Sequence, residues 1–242
     1  MLVVNNYKDL LEQARNGCKQ SLSHLISFLE TVPAKDLPKD LTDNLNAYLT
    51  QGLVIGVTGA PGVGKSTLID KLAVEFCKNR FKPAIIAIDP SSPVSGGAFL
   101  GDRLRMRAAS GQNEVFIRSI STKGQLGGLA PNIEQIILAF KAAGHSPIII
   151  ETVGVGQSEV DIAKVSNKVV FVLAPGFGDE IQLLKAGIIE LSHIIVVNKA
   201  DYPQSRQIEE KVKKTFGSEK AIFNTVASEG RGIKELFAAC TI

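Results

Sequence analysis

The chain has 242 residues, of which 45% are hydrophobic and 21% are charged, and its formal net charge is +3 at pH 7. A chain of this length can bury one sizeable core. The charge is too small to indicate nucleic-acid binding, and no apolar stretch approaches the ~20 residues of a membrane span. The first residues also lack the pattern of a signal or transit peptide. We therefore expect a cytoplasmic protein with no nucleic-acid or membrane partner.

The first 50 residues differ in character from the rest. Leu22, Leu25, Ile26 and Leu29 recur at the spacing of one helical face. We predict an amphipathic helix over Lys19–Thr31 and a shorter one over Thr42–Leu49. Residues 1–50 are thus expected to form a helical extension that packs on a main domain of residues 51–242.

From residue 52 the chain alternates between short Ile/Val runs and segments of helical periodicity. The runs show no polar alternation, as is typical of parallel strands covered on both faces. We predict an α/β fold with a doubly wound, mostly parallel sheet, helices on both faces and the ligand at the carboxyl ends of the strands. The predicted strands are Leu53–Thr58, Lys82–Ile88, Glu114–Ile120, Pro147–Glu151, Lys168–Leu173, His193–Asn198 and Ala221–Val226. The predicted helices are Thr67–Asn79, Asn132–Ala143, Glu180–Ile189, Pro203–Phe216 and Ile233–Cys240.

The segment Gly59–Ser66 fits the phosphate-loop pattern G-x-x-x-x-G-K-[ST] between a predicted strand and a predicted helix. Its glycines allow backbone N–H groups to surround a di- or triphosphate, beside the positive end of the helix. Lys65 would reach the β- and γ-phosphates, and Ser66 would bind Mg²⁺. The nucleotide-binding residues predicted here are Gly59, Gly62, Val63, Gly64, Lys65, Ser66 and Thr67.

The tetrapeptide Asn198-Lys199-Ala200-Asp201 follows another apolar strand. The Asp201 carboxylate can accept two hydrogen bonds from guanine, whereas adenine offers neither donor there and would leave a desolvated acid unpaired. Asn198 would meet the other edge of the base, and the stem of Lys199 would cover its plane. The alternative is a surface turn in which Asp201 caps a helix.

Three acidic residues are predicted to bind Mg²⁺ or to orient the attacking water, and the part of the site that they form is called the hydrolytic side. Glu151 ends a buried strand and is followed by Gly154, an arrangement that holds the Mg²⁺ shell and senses the γ-phosphate in nucleotide hydrolases. Asp89 ends the strand before the Ser/Gly/Pro-rich stretch 90–111, and we predict that it orients the attacking water. Asp102 lies within that stretch and could contact the metal shell. Capping of turns or helices is the alternative for each acid.

The three cysteines, Cys18, Cys77 and Cys240, are far apart in the sequence and odd in number. They predict reduced thiols packed as small hydrophobic groups, with no disulfide and no metal site.

The order of the motifs closely resembles the MeaB/ArgK/MMAA family of P-loop GTPases, of the SIMIBI type. The resemblance covers roughly residues 10 to 240, and the segment Glu151–Glu159 is its most specific part. The matching segments are Gly59–Ser66, Asp89–Pro93, Gly96–Gly97, Leu100–Arg103, Gly127–Gly128, Glu151–Glu159, Gly178–Gln182 and Asn198–Asp201.

The resemblance implies a GTP-binding and GTP-hydrolysing chaperone that gates cofactor delivery to, or protection of, an adenosylcobalamin-dependent methylmalonyl-CoA mutase. It places GTP or GDP and Mg²⁺ on Lys65, Ser66, Asp89, Asp102 and Glu151. It also implies that Val226 and Ala227 close over the base. Family switch residues, which report the nucleotide state to the mutase, correspond to Gly178, Asp179, Gln182 and Lys185. Without the family, that segment is a flexible turn that starts a helix.

Other functions remain open at this point. Family members usually continue beyond the position of Ile242 into a helical arm that forms a homodimer, so a homodimer is possible here but the arm is missing. The chain could bind nucleotide without a mutase partner. It could be a transport-linked arginine/ornithine ATPase or kinase, although Asp201 disfavours adenine. A nickel or zinc metallochaperone needs a Cys/His cluster, and the sequence has no C-x-C or C-x-x-C.

Overall fold

The computed structural model describes residues 7–89, 106–122, 129–152, 158–177, 188–216 and 220–242. The helices are α1 Tyr7–Arg15, α2 Lys19–Thr31, α3 Lys39–Asn46, α4 Lys65–Lys78, α5 Arg107–Ser110, α6 Ile133–Ala142, α7 Ser158–Val165, α8 Ile188–Leu191, α9 Ser205–Phe216 and α10 Ile233–Thr241. The strands are β1 Val54–Thr58, β2 Ala84–Asp89, β3 Phe116–Ser121, β4 Ile148–Glu151, β5 Lys168–Leu173, β6 Ile194–Val197 and β7 Ala221–Asn224. Single 3₁₀ turns cover Ala34–Asp36 and Ala227–Glu229.

In the described part of the chain, seven strands form one sheet in the order β3-β2-β4-β1-β5-β6-β7, and all neighbouring strands run parallel. The predicted doubly wound α/β class is therefore confirmed. The strand order reverses at β1, which lies between β4 and β5. Crevices at such reversal points, outside the carboxyl ends of the strands, are where open α/β sheets bind ligands.

Helices cover both faces of the sheet. Helices α1, α2, α3 and α6 pack on one face through a continuous apolar cluster that includes Ile86, Ile148 and Ile150. Helices α4 and α10 pack on the opposite face, over Ile55 and Val57. Because both faces are buried, the strands contain runs of Ile and Val where a half-exposed sheet would alternate. Within the described residues, no helix combines the length and apolar character needed to cross a membrane.

Polar contacts also join the N-terminal helices to the sheet. Arg118 of β3 donates to Ser27 Oγ at 3.0 Å and forms an ion pair with Glu30, both on α2. Leu25 and Ile26 of α2 are fully buried in the cluster that contains the sheet residues. The helical segment is thus integrated into the packing of the sheet, while the division at residues 50 and 51 stays a prediction.

Replacing Asn132 with alanine is expected to destabilise the fold by about 2 kcal/mol. Asn132 Nδ2 donates to Leu29 O at 2.7 Å and to Val32 O at 2.8 Å, and so satisfies carbonyl groups at the end of α2. Its φ of 56° also favours asparagine or glycine over alanine. A second variant, Asn132→Gly, loses the hydrogen bonds but keeps the backbone conformation. Denaturant unfolding of Asn132→Ala and Asn132→Gly therefore separates the loss of the hydrogen bonds from the backbone effect. A loss below about 0.5 kcal/mol for Asn132→Ala would contradict the capping role.

Stability is expected to decrease as the pH falls below about 6.5, partly because of His145. Burial lowers the pKa of His145, whose ring packs edge-to-face against both Phe116 and Phe140 and contacts Lys82 O through Nδ1 at 3.1 Å. Because the pKa of His145 is lower in the folded state, its contribution to the free energy of unfolding is fully present above the pKa of the unfolded chain. That contribution is lost as the pH falls through the pKa of the folded state. Unfolding free energies between pH 7.5 and 5 should fall less steeply in His145→Gln. The control is His24→Gln, an exposed histidine on α2. An unchanged slope in His145→Gln would contradict this assignment.

The three cysteines are free, as predicted. Burial raises the pKa of Cys240 to about 12, and Cys77 is half-buried. The prediction that all three pack as small hydrophobic groups is wrong for Cys18, which is exposed and accepts a hydrogen bond from Ser21 Oγ at 3.1 Å. That hydrogen bond lowers the pKa of Cys18.

Candidate functional site

The loop between β1 and α4 follows a path that requires glycine. Gly59, Gly62 and Gly64 have φ values of 140°, 83° and 97°. A Cβ on Gly59 would lie 2.2 Å from Val172 O, and one on Gly64 would lie 2.4 Å from Asn198 Nδ2. The absence of side chains therefore lets the loop pass close to β5 and to the segment after β6. The loop ends at the first turn of α4, where backbone N–H groups are available to an anion.

Lys65 begins α4 and turns back over the loop. Its side chain is buried, and Nζ donates to Gly59 O at 2.8 Å and to Ala60 O at 3.1 Å. A buried ammonium group held by backbone carbonyls places a full positive charge inside the loop. Phosphate oxygens would be stronger acceptors for these donors than the two carbonyls.

Ser66, in the first turn of α4, meets Glu151 at the carboxyl end of β4. Ser66 Oγ donates to Glu151 Oε1 at 2.7 Å. The carboxyl ends of β1 and β4 are joined by Thr152 Oγ1, which donates to Thr58 Oγ1 at 2.9 Å in the interior. A hydroxyl and a carboxylate are the oxygen donors that Mg²⁺ prefers in proteins, where it commonly keeps water and substrate phosphates as its other ligands. Among the described residues, no group of three or more His, Cys, Asp or Glu side chains could hold a metal ion.

Asp89 is the last residue of β2, the strand next to β4. Ala87 is in register with Glu151, so the backbone of Asp89 lies at the same edge of the sheet as Glu151. The other predicted residues of this side, Asp102 and Gly154, lie outside the described residues, as do the predicted switch residues Gly178, Asp179, Gln182 and Lys185. Their roles stay predictions.

Asn198 connects the phosphate loop to two other segments. Its side chain is buried, and Nδ2 donates to Val63 O at 2.8 Å. Oδ1 accepts from Thr225 Oγ1 at 3.0 Å and from the Ala227 backbone N–H at 3.1 Å. The sequence predicted a contact between Asn198 and the base, and it did not reveal this bridging role. Ala227 is one of the two residues expected to close over the base, and its N–H donates to Asn198 in the structure.

Lys199 reaches back across the phosphate loop. Its backbone has a φ of 57°, and Nζ donates to Gly62 O at 2.9 Å. The same ammonium lies 3.6 Å from the centroid of the Phe177 ring. Phe177 was not predicted as a site residue, since nothing in its local sequence pairs it with Lys199.

The two motifs share one cavity of about 220 Å³. One side of it belongs to the phosphate loop and the start of α4, and the other to the segment after β6 and the turn after β7. The exposed side chains of Asp201 and Tyr202 lie at this cavity. Tyr202 and Ser228 were not predicted, although each directly follows a predicted residue. The lining residues are Gly64, Thr67, Asn198, Lys199, Asp201, Tyr202, Val226, Ala227 and Ser228.

Comparison with known proteins identifies the family. The family model of the methylmalonyl-CoA mutase-associated GTPase MeaB matches residues 22–241. The chain belongs to the MeaB family of GTPases. This confirms the resemblance seen in the sequence and the GTPase activity class, with guanine nucleotide as the ligand that the family binds.

Individual relatives agree with this assignment. Among the relatives named as GTPases, one from Pyrococcus horikoshii is 39% identical over 239 residues, covering 95% of this chain and 75% of the relative. A Caenorhabditis elegans protein named methylmalonic aciduria type A homolog, mitochondrial, is 43% identical over 209 residues, covering 81% of this chain and 52% of that protein. The solved structure of a LAO/AO transport system kinase superposes with a TM-score of 0.76 at 24% identity, covering 100% of this chain and 76% of that structure, and it supports the fold.

Proposed function

We propose that this MeaB-family GTPase gates cofactor delivery to, or protection of, an adenosylcobalamin-dependent acyl-CoA mutase of the methylmalonyl-CoA type. The family description and the name of the Caenorhabditis elegans relative support a role beside such a mutase. The observation that carries the nucleotide part is the shared cavity, which Gly64 and Thr67 line on one side and Asp201 on the other.

In the proposed site, the phosphate loop binds the triphosphate through its backbone N–H groups, and Lys65 neutralises charge on the β- and γ-phosphates. Asp201 selects guanine, because its carboxylate can pair with two donors on the guanine edge. Asn198 fixes the distance between the two halves of the site, since its amide contacts Val63 on one side and Ala227 on the other.

The oxygen donors on the hydrolytic side fit Mg²⁺. Ser66 and Glu151 would hold the ion, with Asp89 and Asp102 as further predicted ligands, directly or through water. An ion held by these residues would supply positive charge against the phosphate groups during hydrolysis. Asp89 is proposed to orient the attacking water, and the N–H of Gly154 to sense the γ-phosphate.

The proposed signal to the mutase passes through Gly178, Asp179, Gln182 and Lys185. Such a segment can change its arrangement when γ-phosphate contacts are made or lost. We place this activity in the cytoplasm. A homodimer is compatible with the proposal.

The proposal is tested by co-purifying the chain with candidate adenosylcobalamin mutases in the presence of Mg²⁺ and either GDP or a non-hydrolysable GTP analogue. We expect association with one mutase that differs between the two nucleotides, and no such difference between ADP and a non-hydrolysable ATP analogue. GTP should also bind more tightly than ATP to the isolated chain. Association that is absent or independent of the nucleotide would overturn the mutase proposal, and equal affinity for GTP and ATP would overturn the assignment of Asp201.

The other candidate functions have less support. A nickel or zinc metallochaperone would need soft ligands in a cluster, and no such group occurs among the described residues. A transport-linked ATPase or kinase would require adenine to be accepted next to Asp201. Nucleotide binding without a mutase partner is the outcome that the co-purification would reveal.

A further inference from the structure

Phe177 occupies a position between the two halves of the nucleotide site. It follows β5 in a tight turn, with its N–H donating to Ala174 O at 3.4 Å, and its side chain is half-buried. The ring lies directly against the phosphate loop: a Cβ placed on Gly62 would be 2.6 Å from Phe177 Cε1. The contact thus exists only because residue 62 has no side chain.

The ammonium of Lys199 lies over the same ring. Nζ lies 3.6 Å from the ring centroid, within the range at which a cation is attracted by the electron-rich face of an aromatic ring. The same Nζ donates to Gly62 O at 2.9 Å. Ring and carbonyl therefore hold the end of a long, flexible side chain in one place.

We propose that Phe177 is a positioning residue for guanine-nucleotide binding. By holding the Lys199 ammonium against Gly62, the ring fixes the path of the lysine stem along the cavity that Lys199 lines. Without the ring, Lys199 would populate other rotamers, and part of the binding free energy would be spent on ordering it. This inference rests on the proposed assignment of the cavity to the nucleotide.

The test measures the dissociation rate of a fluorescent GDP derivative from the isolated full chain, chased with excess GDP. Phe177→Leu keeps an apolar side chain but removes the aromatic face, and we expect it to raise the rate about three- to tenfold. Phe177→Tyr keeps the face and should stay within about twofold of the wild type. Phe177→Met serves as a second non-aromatic variant, in case the leucine variant does not fold.

A double-mutant cycle separates positioning of Lys199 from simple packing. In a Lys199→Met background there is no ammonium to hold, so adding Phe177→Leu should leave the rate unchanged. An equal increase in both backgrounds would overturn the proposal, as would wild-type release from both non-aromatic variants. The measurement requires no mutase, so failure of the mutase proposal would not affect it. Absence of GDP binding by the wild-type chain would overturn both this inference and the assignment of the cavity.

Discussion

Replacing Lys65 with alanine is expected to abolish detectable GTP binding and, with it, GTP hydrolysis. The buried ammonium of Lys65 lies against the phosphate loop, with Nζ 2.8 Å from Gly59 O and 3.1 Å from Ala60 O. Hydrogen bonds to charged groups contribute about 1.5–3 kcal/mol each, so losing two phosphate contacts corresponds to a weakening of at least about 100-fold. Titration calorimetry with GTP and Mg²⁺, followed by a phosphate-release assay, measures both effects.

The control for Lys65→Ala is Lys78→Ala, at the opposite end of the same helix. Lys78 is exposed and pairs with Glu75 at 2.9 Å, so its loss should leave GTP affinity unchanged. Unfolding of the nucleotide-free variants shows whether each is folded. If folded Lys65→Ala retained affinity within about tenfold of the wild type, the phosphate-loop assignment would be wrong.

Replacing Asp201 with asparagine is expected to weaken guanine-nucleotide binding by about 2–4 kcal/mol, or roughly 30- to 800-fold. An amide can accept only one of the two guanine hydrogen bonds and presents an N–H₂ group to a donor. The same amide would suit xanthine, which carries a carbonyl in place of the exocyclic amine of guanine. Competition binding with GTP, ATP and xanthosine triphosphate should therefore show a lower preference for GTP and a higher one for the xanthine nucleotide.

Glu229→Gln is the matched control for Asp201→Asn. Glu229 is an exposed acid in the turn after β7, pairs with Arg231 at 3.0 Å, and is two residues beyond Ala227. Its neutralisation changes the net charge near the cavity by the same amount but should not alter base preference. A GTP/ATP ratio that is unchanged in Asp201→Asn would refute the proposed recognition of the base.

Much of the fold could be predicted because, in its central helices and strands, the residues that form the apolar pattern of the sequence are the residues that are buried. The bounds of α2 and β5 match the prediction, since each has a regular apolar pattern bounded by clear breaks. The helix predicted over Thr42–Leu49 instead covers Lys39–Asn46 and begins directly after Pro38. Helix α1 is absent from the sequence prediction, although Tyr7, Leu10, Leu11 and Ala14 recur at the spacing of one helical face. Residues 180–187 of the helix predicted over Glu180–Ile189 lie outside the described residues, and α8 covers Ile188–Leu191.

The site was less predictable than the fold. The phosphate loop and Asp201 are recognisable in the sequence because each function requires particular residues at fixed spacing. Phosphate binding by backbone N–H groups requires the glycines, and guanine recognition requires the carboxylate. The connections between Asn198 and Val63, and between Lys199 and Phe177, join segments distant in sequence. Such contacts depend on the strand order, with β1 beside β5 and β5 beside β6, and a single sequence does not reveal that order.

The joint packing of α1–α3 with the sheet has a practical consequence for trimming the protein. A version starting at residue 51 would retain every predicted nucleotide ligand, yet it would leave the apolar surface of α6 facing water. Ile136 and Phe140 of α6 belong to the same buried cluster as Leu25 and Ile26 of α2. A patch of this kind promotes self-association. We therefore expect the shortened form to aggregate, so that loss of GTP binding after such trimming would reflect poor solubility and say little about catalysis.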